Sequence, residues 1–278
     1  MATPVSRPSG RAPVQRALLE RIRARAEASP EVAGLLLFGS FAAGTEDEHS
    51  DLDIGLYIDE AAFEGFDLRR WLEPIADVAA IHLDPYCSTV IFTDLVRAEI
   101  HLGTPAAAVE AWPPLAGVIA FPSLERMVLL DRTGAFSAAV APLIGRLPGR
   151  GPADGEAELL GLVNGLLVAD ACRRRGDLAK ALAHLASAQR HLLRLARLTE
   201  RATNEWIAPE RGLARDLSPA AYERYAAATA RLDARSIGTA VDRSWRWGRE
   251  LAAEVGARPL DDAMLEALNR RFSGETSV

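Results

Sequence analysis

Gly39-Ser40 and, ten residues further on, Asp51-Leu52-Asp53 combine the residue types that grip a phosphate with those that hold a hard divalent cation. Leu35-Leu36-Leu37-Phe38 is a short, continuously apolar run, the pattern of a strand buried on both faces of a sheet. It ends at Gly39, where the missing Cβ lets the chain turn and lets a backbone N–H approach an anion, and the Ser40 hydroxyl adds a second donor. Ser50 to Ile58 has strand composition, and residues two apart on a strand project from one face, so Asp51 and Asp53 point together. Paired carboxylates beside a phosphate corner suit Mg²⁺, which takes oxygen ligands and shares its sphere with the phosphates of a nucleoside triphosphate. Taken singly, Gly-Ser reads as a turn and Asp-x-Asp as solvated surface. Their order, spacing and flanking strands together point to metal-dependent transfer of a nucleotidyl group.

Such a transfer to an alcohol needs a group that removes the hydroxyl proton. Val96 to Leu102 alternates strictly, with Val96, Ala98, Ile100 and Leu102 on one face and Arg97, Glu99 and His101 on the other. Glu99 is the candidate base, because neighbouring carboxylates would raise its proton affinity. A third metal ligand and an ordinary surface glutamate are its rival roles. Arg97 and His101 share the face and are less specific, His101 reading by default as a hydrogen-bonded structural residue.

Of the 32 Lys and Arg residues, Lys180 is the single lysine. Gly176 and Asp177 read as the cap of one helix and the N-cap of the next, which puts Lys180 in a first helical turn, where positive charge opposes the helix dipole. A bound anion would relieve that conflict, making Lys180, with Arg173 to Arg175, a candidate clamp for the β- and γ-phosphates. A solvated surface lysine is the alternative.

Val14 to Ala28 reads as a helix, Leu68 to Ala79 as a second, and Thr89 to Phe92 as a further apolar strand. Leu147 to Gly155 is a dense run of breakers. Beyond it strand signals stop, and Glu156–Arg175, Asp177–Ala202, Ser218–Asp233, Ser236–Gly256 and Asp261–Phe272 read as helices. The expected organisation is a disordered tail over residues 1–13, an α+β catalytic domain with a mixed sheet over 14–147, a linker over 148–155 and an all-α bundle over 156–278. Leu178, Leu182, Leu185, Leu192 and Leu195 read as core, and Trp206, Trp245 and Trp247 as packing.

At 278 residues the chain has room for two cores. A formal charge of −6 argues against a broad nucleic-acid-binding surface and favours a small-molecule acceptor. Cys87 and Cys172 lie far apart without metal-type spacing, so neither a disulfide framework nor a zinc site is implied, and a reducing cytoplasm is the expected home. Asn164 and Asp170 interrupt the longest apolar stretch, which excludes a membrane span there.

On these residues the chain resembles the polymerase-β-type nucleotidyltransferases, and more narrowly the two-domain lincosamide nucleotidyltransferases. The likeness runs from Leu35 to about Asp233. It rests on Phe38-Gly39-Ser40-Phe41, Ser50-Asp51, Val90-Ile91-Phe92, Arg97-Ala98-Glu99-Ile100-His101, Asp131-Arg132-Thr133-Gly134, Arg175-Gly176-Asp177 and Thr229 to Asp233. The resemblance implies transfer of AMP from ATP, with Mg²⁺, to a hydroxyl of a lincosamide antibiotic. It makes Asp51 and Asp53 metal ligands, Ser40 a triphosphate contact and Glu99 the general base, and it implies a homodimer. Ala42-Ala43 departs from relatives that carry a basic residue in this loop, which throws weight on Lys180. Three other readings remain. An aminoglycoside could be the acceptor. A toxin-neutralising transferase acting on a protein is weakened because no Arg lies five or seven residues before His184 or His191. A silent nucleotide-binding regulator is weakened by the intact acidic set.

Overall fold

The computed structural model describes residues 12–83, 87–117, 119–147, 152–258 and 260–273. Most of the expected tail and the first half of the expected linker lie outside them. The chain forms two compact units, Met1–Ala116 with Ala120–Arg146, and Gly117–Ile119 with Leu147–Val278. The first is an α+β unit built on a mixed sheet and the second is helical.

Unit one runs α1 (Pro13–Ala28), β1 (Val32–Leu37), α2 (Gly39–Ala43), β2 (Leu52–Ile58), α3 (Glu60–Phe63), α4 (Leu68–Leu72), β3 (Val78–His82), β4 (Ser88–Phe92), β5 (Arg97–Gly103), α5 (Pro105–Leu115), α6 (Leu124–Met127), β6 (Val128–Asp131) and α7 (Ala135–Val140). The sheet order is β3-β4-β5-β2-β1-β6, antiparallel except for the parallel pair β2 and β5. β1 is buried along its whole length, as its unbroken apolar run requires. The edge strands are short, and β3 carries little apolar bulk, which limits pairing with other chains.

The expected helix over Leu68 to Ala79 stops at Leu72, and Val78–His82 is instead the edge strand β3. Pro74 accounts for the difference. It has no N–H to donate, so the helical ladder cannot continue through it. Only a short turn follows, in which Ile75 and Ala76 donate to the Leu72 carbonyl.

α1 packs through Leu18, Leu19, Ile22 and Ala26, and its buried Gln15 donates to the carbonyls of Glu48 and Ser50 at 2.9 and 3.2 Å. That ties down the loop leading into the acidic pair. Arg132 donates to the carbonyls of Ala26, Glu27, Ser29 and Val32, joining the end of β6 to α1 and β1. Asp131 accepts from the N–H groups of Gly134 and Ser137, closing the turn into α7.

Unit two contains α8 (Pro152–Arg175), α9 (Leu178–Thr199), α10 (Leu213–Asp216), α11 (Pro219–Ala227), α12 (Ala234–Glu254) and α13 (Asp262–Phe272). α8 takes in Ala153 to Gly155 of the breaker-rich run. α11 ends at Ala227 rather than Asp233, because Asp233 caps α12 by accepting from Ser236 N–H. Gly176, with φ of +83°, makes the two-residue turn that sets α8 and α9 side by side. Gly165 gives Ala188 room between them, and Gly248 of α12 receives Leu162. Leu185, Leu192 and Leu195 are buried, Leu178 and Leu182 partly so, and Trp206, Trp245 and Trp247 are all packed inside. Among the described residues no helix is long and apolar enough to cross a membrane.

Candidate active site

The phosphate corner is built where β1 ends. Phe38 N–H donates to the Asp53 carbonyl at 2.8 Å, holding the end of β1 against β2. Gly39 then turns the chain at φ of +61°, and a methyl group there would overlap Asp53 Oδ2. Glycine is required twice over, by backbone angle and by the approach of the carboxylate. Ser40 follows in α2, 8% exposed, with its hydroxyl buried and without a hydrogen-bond partner among the described residues. Burying an unpaired hydroxyl is costly, and such a group marks a place where a ligand oxygen fits.

Asp51 leads into β2 and Asp53 lies on it. The parallel register sets Asp53 beside Glu99, and the alternation of β5 puts Arg97 and His101 on the same face as Glu99. Arg97 pairs with both Asp51 and Glu99 through separate guanidinium nitrogens. Burial alone would lower its pKa, but the Glu99 hydrogen bond and the charges of Glu99, Asp51 and Asp53 hold it above the ordinary value. Three carboxylates therefore converge on one partly exposed point of the sheet, next to the Gly39-Ser40 bend.

Further along β2, on the Asp53 face by strand alternation, sits an aromatic cluster. Tyr57 stacks on Phe136 at 5.0 Å and meets Trp112 edge-on at 5.8 Å. Gly55 leaves room for it, since a Cβ there would come within 2.6 Å of Tyr57 Oη. Burial pushes the Tyr57 hydroxyl up to about 12, so it stays neutral, although a hydrogen bond with Trp112 works the other way.

A grouping that the sequence does not announce completes this face. Ligand atoms of Cys87, Glu99 and His101 all lie within 4.8 Å of one another. β4 and β5 pair with Thr89 opposite Glu99, and one step beyond Ser88–Ile100 the register brings Cys87 opposite His101. The signal in the chain is the tight connection at Asp94 and Leu95. Its register cannot be read without the strand ends. Lys180 is exposed in the first turn of α9, and Asp177, at the N-cap position, makes no side-chain capping bond.

The donor set around Asp51 and Asp53 fits a divalent cation. It offers hard carboxylate oxygens, a glycine with no side chain in the way, and an orphaned hydroxyl for a phosphate oxygen.

Residues 20–97 match the polymerase beta nucleotidyltransferase family. That match and the mixed sheet define the class: this is a nucleotidyltransferase of the polymerase-β superfamily. Residues 154–267 match the lincosamide nucleotidyltransferase-like C-terminal domain. The chain therefore joins a polymerase-β nucleotidyltransferase domain to a lincosamide nucleotidyltransferase-like C-terminal domain. Among solved structures, an aminoglycoside 6-adenyltransferase from Bacillus subtilis is 11% identical, over 93% of this chain and 97% of that one, with a TM-score of 0.40. A nucleotidyltransferase-like protein from Exiguobacterium sibiricum 255-15 is 14% identical, over 87% and 77%, with a TM-score of 0.41. No curated protein matches the sequence.

Proposed function

We propose that this enzyme transfers AMP from ATP to a hydroxyl of a lincosamide antibiotic with the help of Mg²⁺. The observation that carries the reading is the convergence of Asp51, Asp53 and Glu99 beside the unpartnered Ser40 hydroxyl. The C-terminal domain match supports the choice of acceptor. A need for ATP sets the reaction in the cytoplasm.

Asp51 and Asp53 would hold the metal, which when bound neutralises charge on the triphosphate and on departing pyrophosphate. Ser40 donates its hydroxyl to a phosphate oxygen, and Gly39 lets the backbone approach. Glu99 takes the proton of the acceptor hydroxyl. The freed oxygen attacks the α-phosphorus in line, and the bond to pyrophosphate breaks as the new O–P bond forms. Arg97, joined to Asp51 and Glu99, fixes the spacing of those carboxylates before the substrates enter.

We propose Lys180 as a further phosphate contact, since a phosphate would relieve the opposition between its charge and the α9 dipole. Lys180→Ala is expected to raise KM for ATP several-fold while leaving kcat near that of the wild type; an unchanged KM removes it from the site.

Mass spectrometry of a panel of lincosamides and aminoglycosides, each incubated with ATP, Mg²⁺ and the protein, tests the whole reading. A lincosamide that gains one adenylyl group is the expected product. Transfer to an aminoglycoside alone would overturn the acceptor, and transfer to none would overturn antibiotic modification.

A further inference from the structure

The Cys87, Glu99 and His101 side chains mix one thiol, one carboxylate and one imidazole, a donor set that the Mg²⁺ chemistry of Asp51 and Asp53 does not call for. Thiolate and imidazole together select zinc-like ions over Mg²⁺, and three protein ligands with an open fourth position are a common arrangement for zinc. Glu99 and His101 lie on β5, and Cys87 immediately precedes β4, its antiparallel neighbour, so the ladder that ends at the Ser88–Ile100 pair holds the three groups near one another. Donor atoms around tetrahedral zinc stand about 3.3–3.8 Å apart, given metal–ligand lengths near 2.0–2.3 Å. Side-chain adjustment of about an ångström closes the present grouping to that size.

We propose that Cys87, Glu99 and His101 form an inhibitory site for Zn²⁺ or a similar thiophilic divalent ion. Binding forms metal bonds to Cys87 Sγ, one Glu99 oxygen and one His101 ring nitrogen, and the Cys87 thiol gives up its proton to solvent. A Glu99 oxygen committed to this ion cannot accept the proton of the acceptor hydroxyl, so transfer stops although Asp51 and Asp53 are untouched. The inhibition rests on the reading of Glu99 as base; the binding does not.

Cobalt titration of the whole protein in excess Mg²⁺ reads the site directly, through the near-ultraviolet thiolate-to-cobalt charge-transfer band. One equivalent is expected to develop the band in the wild type and in Cys172→Ala, and none in Cys87→Ser. His101→Gln should weaken binding by more than about tenfold. Thermal melting of each variant shows that it is folded. In parallel, Zn²⁺ should suppress Mg²⁺-supported pyrophosphate release in the wild type, while Cys87→Ser keeps its basal rate and loses the zinc sensitivity. Absence of the band, or a band that survives Cys87→Ser, overturns the site. A Cys87-dependent band with undiminished turnover overturns the inhibition alone. The same band in a protein that transfers no nucleotide leaves the metal site standing and sinks the proposed function.

Discussion

The side chains proposed to do the chemistry are held by a few tight local constraints, and Gly39 is the most exacting. A side chain there meets both an unfavourable φ of +61° and the Asp53 carboxylate. Gly39→Ala is therefore expected to cost about 1–3 kcal/mol of stability, and to push Asp53 out of place. Activity should fall much further than the fold does, which urea denaturation and a pyrophosphate assay would show; wild-type turnover in a stable Gly39→Ala protein would separate Asp53 from catalysis. Asp51, Asp53 and Glu99 were legible in the sequence because period-two alternation tells which residues share a face. Their meeting depended on the parallel pairing of β2 with β5, which the chain does not spell out. Cys87 was not legible. It lies outside the apolar run of β4, and only the hairpin register sets it against His101.

Elements were legible where pattern and punctuation agreed. β1, β2 and β5 follow their apolar or alternating runs, and the paired helices α8 and α9 follow a sustained period with a glycine between them. α4 ran long in the sequence reading because apolar residues continue past Pro74, and tertiary pairing with β4 claims the remainder as β3. The helical unit has its own electrostatic anchors. Arg197, fully buried, donates to the carbonyls of Ala202, Pro209 and Arg211 and to Asp216, which fixes the irregular segment between α9 and α10. Asp170, 2% exposed, accepts from Arg173 and Arg174 of its own helix and pairs with Arg271 of α13 at 2.7 Å.

Burial alone would raise the Asp170 pKa, but hydrogen bonds from Arg173 and Arg174, and their charges, hold it below the usual carboxylate value. The stabilisation is therefore complete above the unfolded-state pKa of about 4, and is lost as pH falls through the lower folded-state value. Asp170→Asn is expected to lower the stability of the helical unit by roughly 1–3 kcal/mol near neutral pH, since the buried acceptor of charge-assisted hydrogen bonds from Arg173 and Arg174 loses its charge. The gap between variant and wild type should close in acid. Denaturation curves across pH check this, and a gap that widened on acidification would contradict the assignment.

At the scale of the whole molecule, a net charge of −6 argues against a broad nucleic-acid-binding surface, and the nucleotidyltransferase match implies nucleotide and small-molecule substrates. Two family signatures divide the chain, a polymerase-β catalytic domain and a lincosamide nucleotidyltransferase-like C-terminal domain. The fold class was legible from the switch between strand-rich and helix-only sequence at the breaker-rich run. The acceptor was not, because a catalytic core is reused across many substrates.

The most direct measurement is the rate of pyrophosphate release by Glu99→Gln and by the wild type, at saturating ATP, Mg²⁺ and the acceptor that the antibiotic panel selects. A folded Glu99→Gln protein should turn over about 10²–10⁴-fold more slowly with little change in KM for ATP. Equal rates would contradict the account, because the carboxylate beside Asp51 and Asp53 would then have no part in moving the proton.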